Sequence, residues 1–255
     1  MRISYVIYTS RTPRLQHLSL PGIASDLSPL ASCTALKYLD LSHCKNVTDL
    51  TALAACAALK YLMIRYCDMV EDLSALASCV ALEDIDLTGS EQVTNLAPLA
   101  SCKALKCLDL SYCKKVKNLD PLESCAALVL LCLDGCKDVE NLAPLASCTA
   151  LTQLGLGHCE KLEDLAPLKT CTALKEINLA YCKKLEDLSP LASCPALEHL
   201  DLSHCENVKN LAPLASCPAL EHLDLSHCEN VEDLVPLASC PALRHINLTG
   251  LDDVP

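Results

Sequence analysis

The chain has 255 residues, 51% of them hydrophobic, yet it carries only seven tyrosines and neither phenylalanine nor tryptophan. A conventional globule of that size fills irregular core space with aromatic rings, so here Leu, Val, Ala and Cys must do the filling from a regular lattice. A net charge of −12, from 32 acidic and 20 Lys/Arg residues without a basic block, argues against a phosphate-backbone or anionic-membrane partner.

The first ten residues, MRISYVIYTS, hold a short apolar run without the length or cleavage site of a signal peptide. No stretch approaches 18 uncharged apolar residues, which excludes a transmembrane helix and predicts a soluble, cytosolic protein. Ile3 to Tyr8 alternate enough to form a capping strand, so residues 1–14 are expected to cover the end of the core.

From Leu15 onward the chain is periodic. Leu36, Leu59, Leu82, Leu105, Leu128, Leu151, Leu174, Leu197, Leu220 and Leu243 lie 23 residues apart, and Leu15 starts a shorter first unit. Residues 15–255 therefore read as about eleven repeats of L-x-x-L-x-L-x-x-C-x-x-[VL]-x-[DN]-L-x-P-L-x-x-C-x-A.

Each piece of the unit has a physical reason. Leucines alternating with a polar residue, as in LDL, make a strand with the leucines inward. The Cys of L-x-x-C is a small apolar thiol at the point where the strand turns away. Asp or Asn at the fourteenth place, such as Asp49, Asn118 and Asp187, bonds local backbone in the bend. The column from Pro98 to Pro236 opens a single helical or 3₁₀ turn, since PLASC is too short for a stable isolated helix. No repeat buries its leucines alone. Stacking at about 4.8 Å per strand makes a continuous core and a parallel sheet. The C-terminus, LTGLDDVP, shows no recognisable cap.

This pattern closely resembles the leucine-rich-repeat superfamily. L-x-x-L-x-L-x-x-C is similar to its cysteine-containing class, and D-L-x-P-L to its internalin-like and phosphatase-regulator-like classes. The resemblance implies an α/β solenoid with a concave parallel sheet and short helical or 3₁₀ turns on the convex side. It also implies a role in binding proteins.

Twenty cysteines would ordinarily suggest a disulfide scaffold. One column runs from Cys33 to Cys240 at every repeat; the other runs from Cys44 to Cys228, broken by Ser90. Side chains in such ladders point in parallel, which suits buried free thiols better than disulfides or a convergent zinc site. Cys107 and Cys132 differ, because they fall on outward strand positions. Cys132 stands beside Leu130, and Gly155 and Gly157 leave space on the next copy, making an apolar patch for a partner side chain.

Outward strand residues vary between repeats while the leucines do not. Tyr38, Tyr61, Met63, Arg65 and Tyr66 place contact-rich side chains together on the concave side. An acidic stripe runs through Asp40, Asp86, Asp109, Asp201 and Asp224, and would steer a basic partner segment. His199, His222 and His245 form a column near Asp201 and Asp224, which suits a metal ion or a response to mild acid; duplication of near-identical copies also puts them there.

One repeated, shallow unit offers no water-excluding cleft, so neither catalysis nor a cofactor is expected. The reading is a monomeric module that binds a neutral-to-basic protein surface. The competing reading is a structural spacer or consensus scaffold without a specific ligand.

Overall fold

A computed structural model describes residues 13–251, so the capping strand expected over Ile3 to Tyr8 lies outside the described residues. The chain divides into two units, Met1–Leu128 and Val129–Pro255. In each, alternation within L-x-L gives a three-residue strand, because only its middle residue and the leucine two places on need enter the core.

The N-terminal unit carries β1 (His17–Ser19), β2 (Tyr38–Asp40), β3 (Tyr61–Met63), β4 (Asp84–Asp86) and β5 (Cys107–Asp109). Each pairs in parallel with the next, in a register of one repeat: Leu39 lies against Leu62, and Ile85 against Leu108. Leu39, Leu41, Leu62 and Ile64 point inward and are fully buried. Burying each such side chain stabilises the stack by about 2 kcal/mol, which no single repeat achieves without a neighbour.

The C-terminal unit repeats the plan with β6 (Leu130–Cys132), β7 (Gln153–Gly155), β8 (Glu176–Asn178), β9 (His199–Asp201), β10 (His222–Asp224) and β11 (His245–Asn247). These too pair in parallel, as with Ile177 against Leu200 and Leu223 against Ile246. The core opens at the last strand: Ile246 is 42% exposed, where Leu223 is 2% exposed.

Five-residue 3₁₀ helices cross the opposite side, from Ser28–Ser32 to Asp120–Ser124 in the first unit and from Ala143–Ser147 to Val235–Ser239 in the second. Proline stands in their first turn in most repeats. Thr51–Ala55 and Ser74–Ser78 form the same helix without one. Packing of Leu53 and Leu76, both buried, therefore sets the turn, and proline only favours it. The fourteenth-place residues do bond the bend: Asp49 accepts from the Thr51 N–H at 2.7 Å, Asn118 from Asp120 at 2.9 Å and Asp187 from Ser189 at 2.7 Å.

None of the twenty cysteines forms a disulfide, and all but Cys107 and Cys132 are buried. The thiols do more than pack. Cys44 Sγ donates to the Leu20 carbonyl at 3.1 Å, Cys113 to Leu87 at 3.2 Å and Cys205 to Leu179 at 3.1 Å, each reaching into the preceding repeat. The Cys33–Cys240 column does the same, with Cys79 to Leu53 at 3.2 Å and Cys240 to Leu214 at 3.3 Å. Where Ser90 breaks the Cys44–Cys228 column, its hydroxyl donates the equivalent bond to the Ile64 carbonyl at 2.6 Å. Burial pushes the Cys79 and Cys113 thiols up to about 12, far above the range of a reactive cysteine.

Candidate functional site

Because the leucines point inward, the first and third residues of each strand form two columns on the outer sheet face. In the N-terminal unit the first column is His17, Tyr38, Tyr61, Asp84 and Cys107, and the second is Ser19, Asp40, Met63, Asp86 and Asp109. Tyr38 and Tyr61 lie opposite each other in register. The Tyr38 hydroxyl donates to Met63 Sδ at 3.4 Å, and Tyr61 is 40% exposed. These three side chains form one compact patch.

Arg65 and Tyr66 lie elsewhere. Arg65 is past the strand end, with its Nε donating to Asp86 Oδ2 at 2.5 Å. The carboxylates of Asp86, Asp109 and Asp40 all favour its charge, the first most strongly. Tyr66, expected on the concave side with the others, sits in the following bend in a left-handed conformation (φ 52°). Its ring stacks on His43 at 5.1 Å and lies over Gly89, where an added Cβ would fall 2.4 Å from it.

The acidic stripe also has a role that sequence reasoning missed. Asp40, Asp86, Asp109, Asp201 and Asp224 each accept the backbone N–H two residues on, at 2.8–3.0 Å. They close the turn that ends the strand, so they are structural before they are anything else. Burial opposes ionisation of Asp40, but the hydroxyl and N–H of Ser42 and the Ser19 hydroxyl still hold its carboxyl below the usual value. Asp86 is only 7% exposed. The readable signal is the recurrent D-L-S and D-L-T, the same short-range pattern as Asp49 to Thr51.

In the C-terminal unit the outer columns run Leu130, Gln153, Glu176, His199, His222, His245 and Cys132, Gly155, Asn178, Asp201, Asp224, Asn247. Together they line a groove of about 740 Å³. Leu130 and Cys132 line it as half-buried residues at one end. The space expected over Gly155 and Gly157 is filled. Asp134 lies across both glycines, accepting from the Gly157 N–H at 2.6 Å and from Asn178 Nδ2 at 3.0 Å. A Cβ on Gly155 would fall 2.5 Å from Asp134 Oδ2. The glycines thus admit a carboxylate of the same chain.

At the other end His199, His222 and His245 stack with centroids 4.3 and 4.5 Å apart and rings within 13° of parallel. A second stack, His158, Tyr181, His204 and His227, occupies the left-handed bend positions at 4.2–4.4 Å. No cluster of three or more His, Cys, Asp or Glu among the described residues is arranged to hold a metal ion, and none of their helices is long and apolar enough to cross a membrane.

The family model for leucine-rich repeats (two copies) matches residues 13–55, 172–216 and 195–239. No curated protein is similar enough in sequence to match the chain. Among solved structures, an internalin of Listeria monocytogenes, InlF, is 18% identical with a TM-score of 0.60, covering 92% of this chain and 87% of that one. Internalin C2 of the same species is 24% identical with a TM-score of 0.62, covering 78% and 83%. The functional domain of its InlJ, described as including a cysteine ladder, is 17% identical with a TM-score of 0.52, covering 92% and 63%.

These likenesses correct one expectation. The first ten residues pointed to a cytosolic location, but the internalins that share the fold are secreted or surface-associated proteins. The one-repeat strand register, the buried thiol columns and the matched repeats give this chain the leucine-rich-repeat fold.

Proposed function

We propose that the chain is a protein-recognition module that binds through the outer face of its sheet. The observation that carries this reading is the contrast along each strand. Inward positions are Leu or Ile in every repeat, while outward ones change from Tyr38 and Tyr61 to Leu130, Glu176 and His199. A preordered face costs little conformational entropy on association. The net charge of −12 favours a neutral-to-basic partner surface, and the chain acts as a monomer in this reading. Tyr38, Tyr61 and Met63 are the proposed contacts in the N-terminal unit, with Leu130 and Cys132 in the C-terminal one. Arg65, Asp40, Asp86 and Asp109 contribute charge from positions that also serve the fold.

Affinity capture from the source cells tests this, using wild type, Tyr61→Ala/Arg65→Ala and Leu130→Glu, each first shown to fold. A discrete partner held by wild type and lost from either variant is the expected result, and says which unit is engaged. Capture of nothing specific by wild type would favour a spacer or consensus scaffold.

A further inference from the structure

The histidine stack stands inside the groove of the C-terminal unit, and the charges around it are unbalanced. Asp134, Glu176, Asp201 and Asp224 line the groove against a single guanidinium, Arg244, whose Nη1 lies 3.7 Å from Glu221. With neutral imidazoles that leaves an excess of three negative charges. Three protonated imidazoles would cancel it. The occupant that fits at neutral pH is therefore cationic. An extended strand-like segment places alternate side chains on one side. Arginine suits the carboxylates, because its planar fork pairs with them and stacks against flat rings. Apolar residues suit the end at Leu130 and Cys132.

We propose that this groove docks an extended, arginine-bearing peptide segment at neutral pH and releases it in mild acid, with the His199–His222–His245 stack as the gate. The proposal rests on the outer sheet face being a recognition surface. Four strands surround the gate. β8 supplies Glu176 and, just before it, Lys175, which pairs with Glu198 at 2.8 Å. β9 supplies Asp201, with Glu198 before it. β10 supplies Asp224, with Glu221 before it, and β11 supplies Asn247, with Arg244 before it.

The middle ring is the sensitive one. His222 Nδ1 is shut off from water and has no hydrogen-bond partner among the described residues. Desolvation and then the two flanking histidines push its pKa below the ordinary value. His222 therefore resists protonation at neutral pH and takes up a proton only in more acidic solution. Each added charge repels its stacked neighbours and the arginine in the groove. Asp224 stays ionised through that range: burial works against it, but the Ser226 hydroxyl and N–H and Asn247 hold its carboxyl low.

The repeats themselves supply substitutions that keep the fold. Asn178 and Asn247 close the same turn that Asp201 and Asp224 close, and Gln153 occupies the histidine column. The test uses the whole chain and a fluorescein-labelled eight-residue peptide alternating arginine and leucine, with the glutamate–leucine peptide as control, read by fluorescence anisotropy. We expect the arginine peptide to bind at pH 7.5 and about tenfold more weakly at pH 5. Asp201→Asn/Asp224→Asn should lose about tenfold at pH 7.5. His199→Gln/His222→Gln/His245→Gln loses the ring contacts and should bind more weakly at pH 7.5, but the binding that remains should change less than about threefold by pH 5.

No binding of the arginine peptide at pH 7.5, or equal binding of the glutamate peptide, overturns the occupant. Undiminished binding by the double asparagine variant overturns the location. The same loss in acid from the triple glutamine variant overturns the gate. Any of these leaves the recognition reading standing if Leu130→Glu still abolishes partner capture; capture that no outer-face variant alters overturns that reading instead.

Discussion

The two units share a lattice and differ in what they mount on it. In the N-terminal unit the outer face closes on itself: Tyr38 bonds Met63, and Arg65 bonds Asp86. Nearby, Glu83 is clasped by Lys106 and Lys60, which hold its carboxyl down at about 2. In the C-terminal unit the corresponding columns line a groove, and the Asp134 carboxylate occupies the room that Gly155 and Gly157 leave. The same leucine spacing thus supports a studded face and a hollow one. Outer positions are free to diverge because the core makes no demand on them.

If the lattices are equivalent, the deepest cuts should cost the same. Leu62→Ala and Leu200→Ala remove leucines at the same strand position, both buried. Each is expected to destabilise by about 3 kcal/mol in urea unfolding followed by circular dichroism. A gap above about 1 kcal/mol would show that the two cores are packed differently.

The glycines should separate the units next. Gly89 has φ +70°, and an alanine there meets the Tyr66 ring as well as the strain of a left-handed backbone. We expect Gly89→Ala to cost about 2 kcal/mol. Gly155→Ala meets only the movable tip of Asp134, and should cost about 1 kcal/mol in the same assay.

A smaller effect probes the strand-end turns. Asp109→Ala leaves the Ser111 N–H without its 2.8 Å acceptor and should cost about 1 kcal/mol. Asp109→Asn should stay within about 0.5 kcal/mol of wild type, as Asn178 already does this work in the other unit. Equal losses from both would mean that charge, not the turn, is what matters there.

The mildest measurement leaves the sequence alone. A thiol reagent added to native protein should modify one cysteine per unit quickly, Cys107 and Cys132, and the other eighteen only on unfolding. More than two fast thiols would show that a ladder opens locally.

The fold was legible because its period is a spacing of leucines, and burial follows leucines directly. Strand position, the turn at Leu53 and the unbridged thiols can all be read from that. The candidate site was legible only in part, because outer residues are arranged by contacts with neighbouring repeats. Tyr66 leaves the strand face because its backbone turns left-handed beneath a stack with His43. Gly155 reads as open space because nothing in its own repeat reveals that Asp134, one repeat earlier, reaches across it. The Asp40 column is legible in principle, since it repeats the pattern of an aspartate two residues before a bend that is plain at Asp49.

The thiol bonds also give the chain a direction in time. The ladder cysteines donate toward the N-terminus, as Cys67 does to Leu41 and Cys228 to Leu202. During synthesis the acceptor of each ladder bond has already left the ribosome when its donor emerges, so each new repeat docks onto a finished template. Truncation is correspondingly lopsided. Trimming from the C-terminus removes a donor before its acceptor, as with Cys228 and Leu202, whereas trimming from the N-terminus strands buried donors such as Cys44 at the new first repeat.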